Sequence, residues 1–327
     1  MHNCPFPDLI YAIDIGGTKI DCIRVFNGEL THYQMNTPNS GFYNEDFKLL
    51  REWVANFLIA GEGKVVVSFP GLVKEDVIIK WPNKAYWEGY SLREDLCKIF
   101  TTCKVEIYED CNMGAFVNYL IFNEKKHSLY INIGTGIGCG ILLDGKLFTG
   151  AQGYAGEFGH TIVQPDSIIQ CTCGKRGCLQ LYSSGRGMIQ RLQEKSKLYQ
   201  AVSSLEEFSS DSLGDTFVKE TILEGAKLFG VALSNFISIF DVTDIHFGGS
   251  VLHNQLFRET FIQTAHEIEC EFLQRELHFI INPFFNSSLI GALLKAANYD
   301  KLPNERRTFF NDSLKKFRSV NYQRLVL

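Results

Sequence analysis

The chain lacks any run of eighteen uninterrupted apolar residues, and its opening Met1-His2-Asn3-Cys4-Pro5 lacks the basic region and apolar core of a signal peptide. Both absences argue against a membrane span and against secretion, so the expectation is a cytoplasmic protein without a membrane partner. An excess of positive charge is missing too. The formal net charge is -5, which gives no general attraction to polyanions, so nucleic acid would need a local basic patch. Only the tail offers one: Asp300–Leu327 holds seven Lys or Arg against three Asp or Glu, interleaved with Phe309, Phe310, Phe317 and Tyr322. A solvated terminal helix or a subunit contact is the preferred reading there, and no nucleic-acid partner is expected. Cysteine is not scarce, but ordered cysteine is. Cys4, Cys22, Cys97, Cys103, Cys111, Cys139 and Cys270 stand singly, and only Cys171, Cys173 and Cys178 cluster. In a cytoplasmic chain that pattern points to reduced thiols or metal ligands rather than a disulfide framework.

What is present is length for two domains, with 327 residues of which 45% are hydrophobic. Leu9–Ile15 is a short apolar run ending in Asp14-Ile15-Gly16-Gly17-Thr18-Lys19, and Ile20–Phe26 reads as a second strand. Gly16 and Gly17 fit a plain hairpin turn, in which they would supply positive φ. They equally fit a turn whose backbone N–H groups approach phosphate, with Thr18 adding a hydroxyl and Asp14 placed to order magnesium-bound water. Glu45–Ala60 has the spacing of an amphipathic helix. Lys64–Phe69 is a buried strand closed by Pro70-Gly71. Ile78–Leu96, with Trp81, Tyr86, Trp87, Tyr90 and Pro82-Asn83, reads as a covering loop whose rings and amide suit a sugar, or as ordinary core. Lys104–Tyr108 is a strand leading to Glu109-Asp110-Cys111-Asn112 and a helix over Gly114–Phe122. Paired carboxylates at a strand end are a candidate acid/base site; local sequence prefers a helix N-cap made by Asp110 or Asn112.

Ile131–Gln180 concentrates the remaining chemistry. A strand, Ser128–Ile133, runs into Gly134-Thr135-Gly136-Ile137-Gly138, and a meander follows through the Asp144-Gly145 turn. Cys171, Cys173 and Cys178 give three of the four ligands of a tetrahedral zinc site, and His160 is the natural fourth because no further cysteine lies nearby. Such a site is closed and structural. It would fix the second nitrogen of His160, with Glu157 three residues earlier beside it. Asp215–Asp241 is a long helical pattern, Ile245–Phe247 a strand ending in Gly248-Gly249-Ser250, His278–Ile281 another strand, and Ser288–Ala297 a helix of small residues.

Taken in order, these motifs resemble the ROK family of bacterial sugar kinases and related repressors over roughly Tyr11–Ala297. They are Asp-x-Gly-Gly-Thr-Lys, the Pro-Gly turn, Asp110 with Asn112, Gly-Thr-Gly-x-Gly, Gly150–His160, Cys-x-Cys-Gly-x-x-Gly-Cys and Gly248-Gly249. The resemblance implies an α/β, actin-like ATPase (ribonuclease-H-like) fold of two lobes around a central cleft. The lobes would be 1–112, completed by a helix at 288–298, and 113–287 with the zinc site, followed by an extension at 299–327. It implies ATP, Mg²⁺ and structural Zn²⁺, a hexose or hexose derivative phosphorylated at the 6-hydroxyl, and a homodimer. Asp110 would be the general base. Asn83, Glu109, Glu157, His160 and Gln180 would contact sugar. Asp14, Gly16, Gly17, Thr18, Lys19, Gly134, Thr135, Gly136, Gly248 and Gly249 would line the nucleotide, and His160, Cys171, Cys173 and Cys178 would hold zinc.

Two positions depart from the family pattern: Glu109 stands where the family usually has Asn, and Gln180 where it usually has Glu. These exchanges alter the donors and acceptors offered to the sugar, leave neutral, amino and N-acetylamino hexoses open, and let Glu109 favour a cationic amino sugar. The alternatives are a catalytically impaired sugar-binding sensor and a regulator without a helix-turn-helix, for which the residues before Leu9 leave no room.

Overall fold

The structure, a computed structural model, describes residues 9–122, 127–202, 205, 215–272, 275–282, 284, 286–302, 304–318 and 324–326. Cys4 and Tyr322 lie outside the described residues. In chain order the first elements are β1 (Leu9–Ile15), β2 (Lys19–Phe26), β3 (Glu29–Asn36), α1 (Tyr43–Ala55), β4 (Gly63–Phe69), β5 (Leu72–Lys74) and β6 (Val77–Lys80). Next come α2 (Leu92–Ile99), β7 (Cys103–Glu109), α3 (Asp110–Phe122), β8 (Ser128–Ile133), β9 (Ile137–Leu143) and β10 (Lys146–Leu147). Then follow α4 (Gln180–Ser183), α5 (Gly185–Lys195), α6 (Thr216–Phe240), β11 (Asp244–Gly248), α7 (Gln255–Phe272) and β12 (His278–Ile281). The last are α8 (Ser287–Ala296), α9 (Asn304–Leu314) and β13 (Arg324–Val326).

The chain divides into two compact units, Met1–Asn123 with Pro283–Val320, and Glu124–Asn282 with Asn321–Leu327. Each is built around one sheet of the same design. The first sheet has the order β3-β2-β1-β4-β7, with β1–β2 and β2–β3 antiparallel and β1–β4 and β4–β7 parallel. The second has the order β10-β9-β8-β11-β12-β13, again antiparallel on the hairpin side and parallel across β8–β11–β12. An antiparallel meander can be joined by tight turns, whereas each parallel step needs a crossover, which is why helices enter only after the third strand of each unit. β1 is apolar along nearly its whole length because it is covered on both faces, while the edge strand β3 alternates between exposed and half-buried residues.

The division falls after α3 rather than before it. α3 packs on α8 within the first unit, and Gly291 makes this contact close: a Cβ there would overlap the carbonyl oxygen of Met113. Residues after 299 do not form a separate extension. α9 belongs with the first unit, and β13 pairs antiparallel with β12 at the edge of the second sheet. The Asp144-Gly145 turn takes the positive φ expected of it, at 52° and 72°.

The Ile78–Leu96 stretch is more ordered than the covering loop expected, comprising the end of β6, a 3₁₀ turn at Ala85–Trp87 and α2. Trp81 and Trp87 are fully buried and pack edge-on at 4.9 Å, with Phe69 against Trp81 at 4.7 Å. These two indoles are core and leave no ring face for a sugar. α6 is long and apolar enough by composition to cross a membrane, but its Val218, Ile222, Phe229, Leu233 and Ile237 are buried in the second unit's core.

The α3–α8 contact gives a direct test. Gly291→Ala would drive a methyl into a backbone carbonyl that cannot rotate away, so it should cost about 2 kcal/mol, read as a lowered urea midpoint at unchanged m-value.

Candidate active site

In the first unit the chemistry collects at the C-terminal ends of the parallel strands, where open α/β sheets present their ligand contacts. The register places Asp14 on β1 beside Ser68 on β4, and Ser68 beside Tyr108 on β7, one residue before Glu109. Asp14 accepts a 2.9 Å hydrogen bond from the Asn286 amide, whose oxygen in turn caps α8 by accepting from Leu289 N–H. Asn286 was not singled out from sequence; an N-cap signal ahead of the small-residue helix was the only local clue. Burial pushes the Asp14 carboxyl up to about 6, with the charges of Asp110 and Asp21 adding to the rise against the hydrogen bonds of Asn286 and Ser68.

The turn Gly16–Lys19 follows β1. Gly16 and Gly17 lie in the turn of the β1–β2 hairpin as expected, but neither has the positive φ expected of them there. Gly16 is needed for space, since a Cβ there would lie 2.8 Å from the Lys19 carbonyl oxygen, whereas one on Gly17 would come 3.0 Å from the Asn83 amide nitrogen, the end of a side chain that can turn. The Asn83 side chain therefore sits over the turn. Gly17, Thr18 and Lys19 are exposed, and the turn is closed by Gly16 N–H donating to Lys19 O at 2.9 Å.

The start of α3 differs from expectation. The cap is made by Glu109, whose carboxylate accepts from Asn112 N–H at 2.7 Å, and not by Asp110 or Asn112. Asp110 accepts from the next residue, Cys111 N–H, at 2.7 Å, its carboxyl also meets that of Glu109, and Ser288 Oγ donates to its main-chain carbonyl at 3.0 Å. Burial, then the neighbouring Asp110 charge, holds the Glu109 carboxyl well above the usual carboxylate range, although the Asn112 and Cys111 N–H groups pull the other way. Glu109 thus spends one carboxyl oxygen on the helix cap.

In the second unit His160, Cys171, Cys173 and Cys178 converge, with their ligand atoms all within 4.8 Å of one another. His160 Nδ1 is 3.5 Å from Cys171 Sγ, and Cys173 Sγ is 3.6 Å from Cys178 Sγ. These separations fit the edges of a tetrahedron around zinc, roughly 3.5 to 3.8 Å for bonds near 2.0 and 2.3 Å. The residues therefore fit the ion. Gly177, at φ +69°, brings its backbone so close that a Cβ would overlap the Gln164 carbonyl. His160 Nε2 faces Glu157 at 3.6 Å. Gln180 donates through Nε2 to Cys171 Sγ at 3.2 Å, and its Oε1 lies 3.5 Å from where a Cβ on Gly136 would be. It thus bridges the thiol cluster and the Gly134–Gly138 turn. An amide can donate to sulfur where a carboxylate has no N–H to give, which gives Gln180 a physical reason beyond sugar contact.

Gly134 N–H closes its turn on Gly136 O at 3.0 Å, and Thr135 and Gly136 are exposed. Gly248 and Gly249 end β11 against β8: Cβ atoms there would overlap Tyr130 Oη and the Ile133 carbonyl, and Gly249 has φ +100°. Their need for glycine is met by this packing.

Comparison with known proteins follows the same lines. The family model described as "ROK family" matches residues 10–295, leaving α9 and β13 outside the match. The chain is similar to an N-acetylmannosamine kinase of Haemophilus influenzae (strain PittGG), 28% identical over 249 residues that cover 73% of this chain and 80% of that protein. It is also similar to an N-acetyl-D-glucosamine kinase of Vibrio vulnificus (strain YJ016), 27% identical over 268 residues, covering 77% and 87%. Among solved structures, a ROK hexokinase from Thermus thermophilus superposes with TM-score 0.74 at 24% identity, covering 90% of this chain and 99% of that one. The shared fold is actin-like.

The Glu109 cap predicts a pH-dependent difference. A carboxyl with a raised folded-state pKa favours folding at low pH and loses that contribution as pH rises, because the unfolded chain ionises first. Glu109→Gln keeps an acceptor for Asn112 N–H but cannot ionise. Its melting temperature should therefore gain on the wild type as pH is raised from about 4 to about 8, and a pH-independent gap would contradict the assignment.

Proposed function

Since the chain belongs to the ROK family, we propose that it transfers the γ-phosphoryl group of ATP to a hexose derivative, with Asp110 as general base. The observation that carries the reading is Asp110 itself. It follows directly on the C-terminal end of a parallel strand, its Oδ1 takes one helix N–H beside the Glu109 carboxyl, and the proposal assigns its Oδ2 to the sugar hydroxyl. In the reaction the sugar hydroxyl gives its proton to that oxygen as its own oxygen bonds to the γ-phosphorus. The bond from the γ-phosphorus to the bridging oxygen breaks, and ADP leaves. Little covalent chemistry is asked of the protein beyond positioning and charge.

The glycines of the turns Gly16–Lys19 and Gly134–Gly136, which carry no side chain to hold an anion off, are the proposed phosphate contacts. Asp14 is the carboxylate that would order the water shell of the nucleotide's magnesium; burial without a nearby cation leaves it ready to gain from one. Magnesium supplies charge neutralisation across the phosphates when bound. Gly248 and Gly249 remain the proposed nucleoside flank. Asn83, Glu157 and His160 are the proposed sugar contacts, and zinc held by His160, Cys171, Cys173 and Cys178 would keep the imidazole fixed.

An N-acetylated hexosamine is the favoured substrate. The N-acetylmannosamine and N-acetyl-D-glucosamine kinases described above are named for such sugars, which supports this reading.

Coupled ADP release over glucose, glucosamine, N-acetylglucosamine and N-acetylmannosamine tests this. The N-acetylated sugars should give the highest kcat/KM, and Asp110→Asn should lose about 10²-fold or more in kcat while still binding sugar; an unimpaired Asp110→Asn would remove the mechanism. The chain as purified should carry one zinc per molecule by elemental analysis, and Cys178→Ser should lose it.

A further inference from the structure

Outside the residues assigned to substrate, the first unit holds one buried charged pair with no part in the chemistry above. Lys84 and Asp46 are 3% and 0% exposed. Their charged atoms lie 3.8 Å apart, too far for a direct hydrogen bond, and Tyr86 bridges them: Lys84 Nζ donates to its hydroxyl at 3.1 Å, and the hydroxyl donates to Asp46 Oδ2 at 2.7 Å. Asp46 Oδ2 also accepts from Trp87 Nε1 at 3.1 Å, and its other oxygen accepts from Ser40 N–H at 2.8 Å. Lys84 Nζ further donates to the carbonyl of Pro38 and to Asn39 Oδ1. Two segments far apart in sequence, 37–40 and 81–87, are thereby fastened to each other and to α1.

Both segments then reach the same turn. Thr37 Oγ1 donates to Gly16 O at 2.7 Å, and Thr37 N–H donates to Thr18 O at 2.9 Å, so the segment beginning at Thr37 holds two of the turn's carbonyls. From the other segment Asn83, the residue before Lys84, places its amide over Gly17. A burial this complete is costly for a lysine unless its geometry is needed, since an apolar pair would fill the same volume at no desolvation cost.

We propose that the Lys84–Asp46 network is a positioning device that sets the Gly16–Thr18 turn from both flanks, through Thr37 on one side and Asn83 on the other. The pair touches neither substrate. Its role is to keep the turn's N–H groups and the Asn83 amide in one arrangement before ligand arrives, so that binding does not have to order them. For its kinetic consequence the proposal rests on the phosphate-turn reading given above.

Amide hydrogen exchange on the ligand-free full chain tests the structural claim. In Lys84→Met the peptides covering residues 16–19 and 37–40 should exchange about tenfold faster than in the wild type, while those covering 128–143 in the second unit keep wild-type rates. Wild-type exchange at 16–19 and 37–40 in a folded Lys84→Met chain would overturn the proposal. Should Lys84→Met fail to fold, Asp46→Asn, which keeps size and an acceptor oxygen, is read in the same way. Steady-state kinetics supplies the functional arm. Lys84→Met should raise the KM for ATP about tenfold with a smaller change in kcat, and combining it with Asn83→Ala should give less than the product of the two separate losses. Fully multiplicative losses would show that Lys84 does not act through Asn83 and would overturn that half. A wild-type chain that releases no ADP with any sugar would overturn the kinase reading and leave the exchange result to decide the positioning claim.

Discussion

The first unit depends on how closely α8 lies on α3. Gly291 has no side chain, so α8 descends until its backbone meets the carbonyl of Met113. That depth brings Ser288 to the Asp110 carbonyl and Asn286 to the Asp14 carboxylate. A helix from near the end of the chain thus fixes both acids that stand at the ends of β1 and β7. With any larger residue at 291 the helix would ride higher, and the two hydrogen bonds, at 3.0 and 2.9 Å, have little length to give. Packing at one glycine is in this way upstream of the electrostatics of the site.

Those electrostatics are unusual in what they leave unbalanced. Asp14, Glu109 and Asp110 cluster where the sheet ends, and burial together with mutual repulsion raises the carboxyls of Asp14 and Glu109. Glu109 caps α3 through Asn112 N–H while its carboxyl also meets that of Asp110, so the two acids share one polar cluster at the start of the helix. The local rule that favours Asp at an N-cap gave way to the residue one position earlier.

Strands, glycine turns and the thiol cluster were legible because each is a local pattern: an apolar run, a turn punctuated by glycine, a ligand spacing. β8 and β12 match their expected bounds, and β1 does so as well. What was not legible depended on partners distant in sequence. Asn286 meets Asp14 across 272 positions, and Lys84 meets Asn39 across 45; no window along the chain contains either pair. The glycines at 16, 17, 248 and 249 illustrate the same limit from another side. Their presence was plain, but whether glycine was needed for a left-handed φ or for an approaching neighbour required coordinates, and at Gly16 and Gly248 the neighbour decides alone. The aromatic stretch stayed open between two readings for a third reason. Tryptophan suits both a sugar face and a core, and only burial distinguishes them.

In the second unit Gln180 shows how a departure from a family pattern can be compensated locally. Its amide nitrogen is directed at Cys171 Sγ and its oxygen lies by Gly136. A glutamate there would lack the N–H that Gln180 donates to Cys171 Sγ. Glutamine couples the thiol cluster to the glycine turn through one side chain. The same exchange that removes a charge therefore adds a hydrogen bond to Cys171. Its effect on specificity and its effect on the cluster cannot be separated by charge alone, because the donor that supports Cys171 belongs to the same amide.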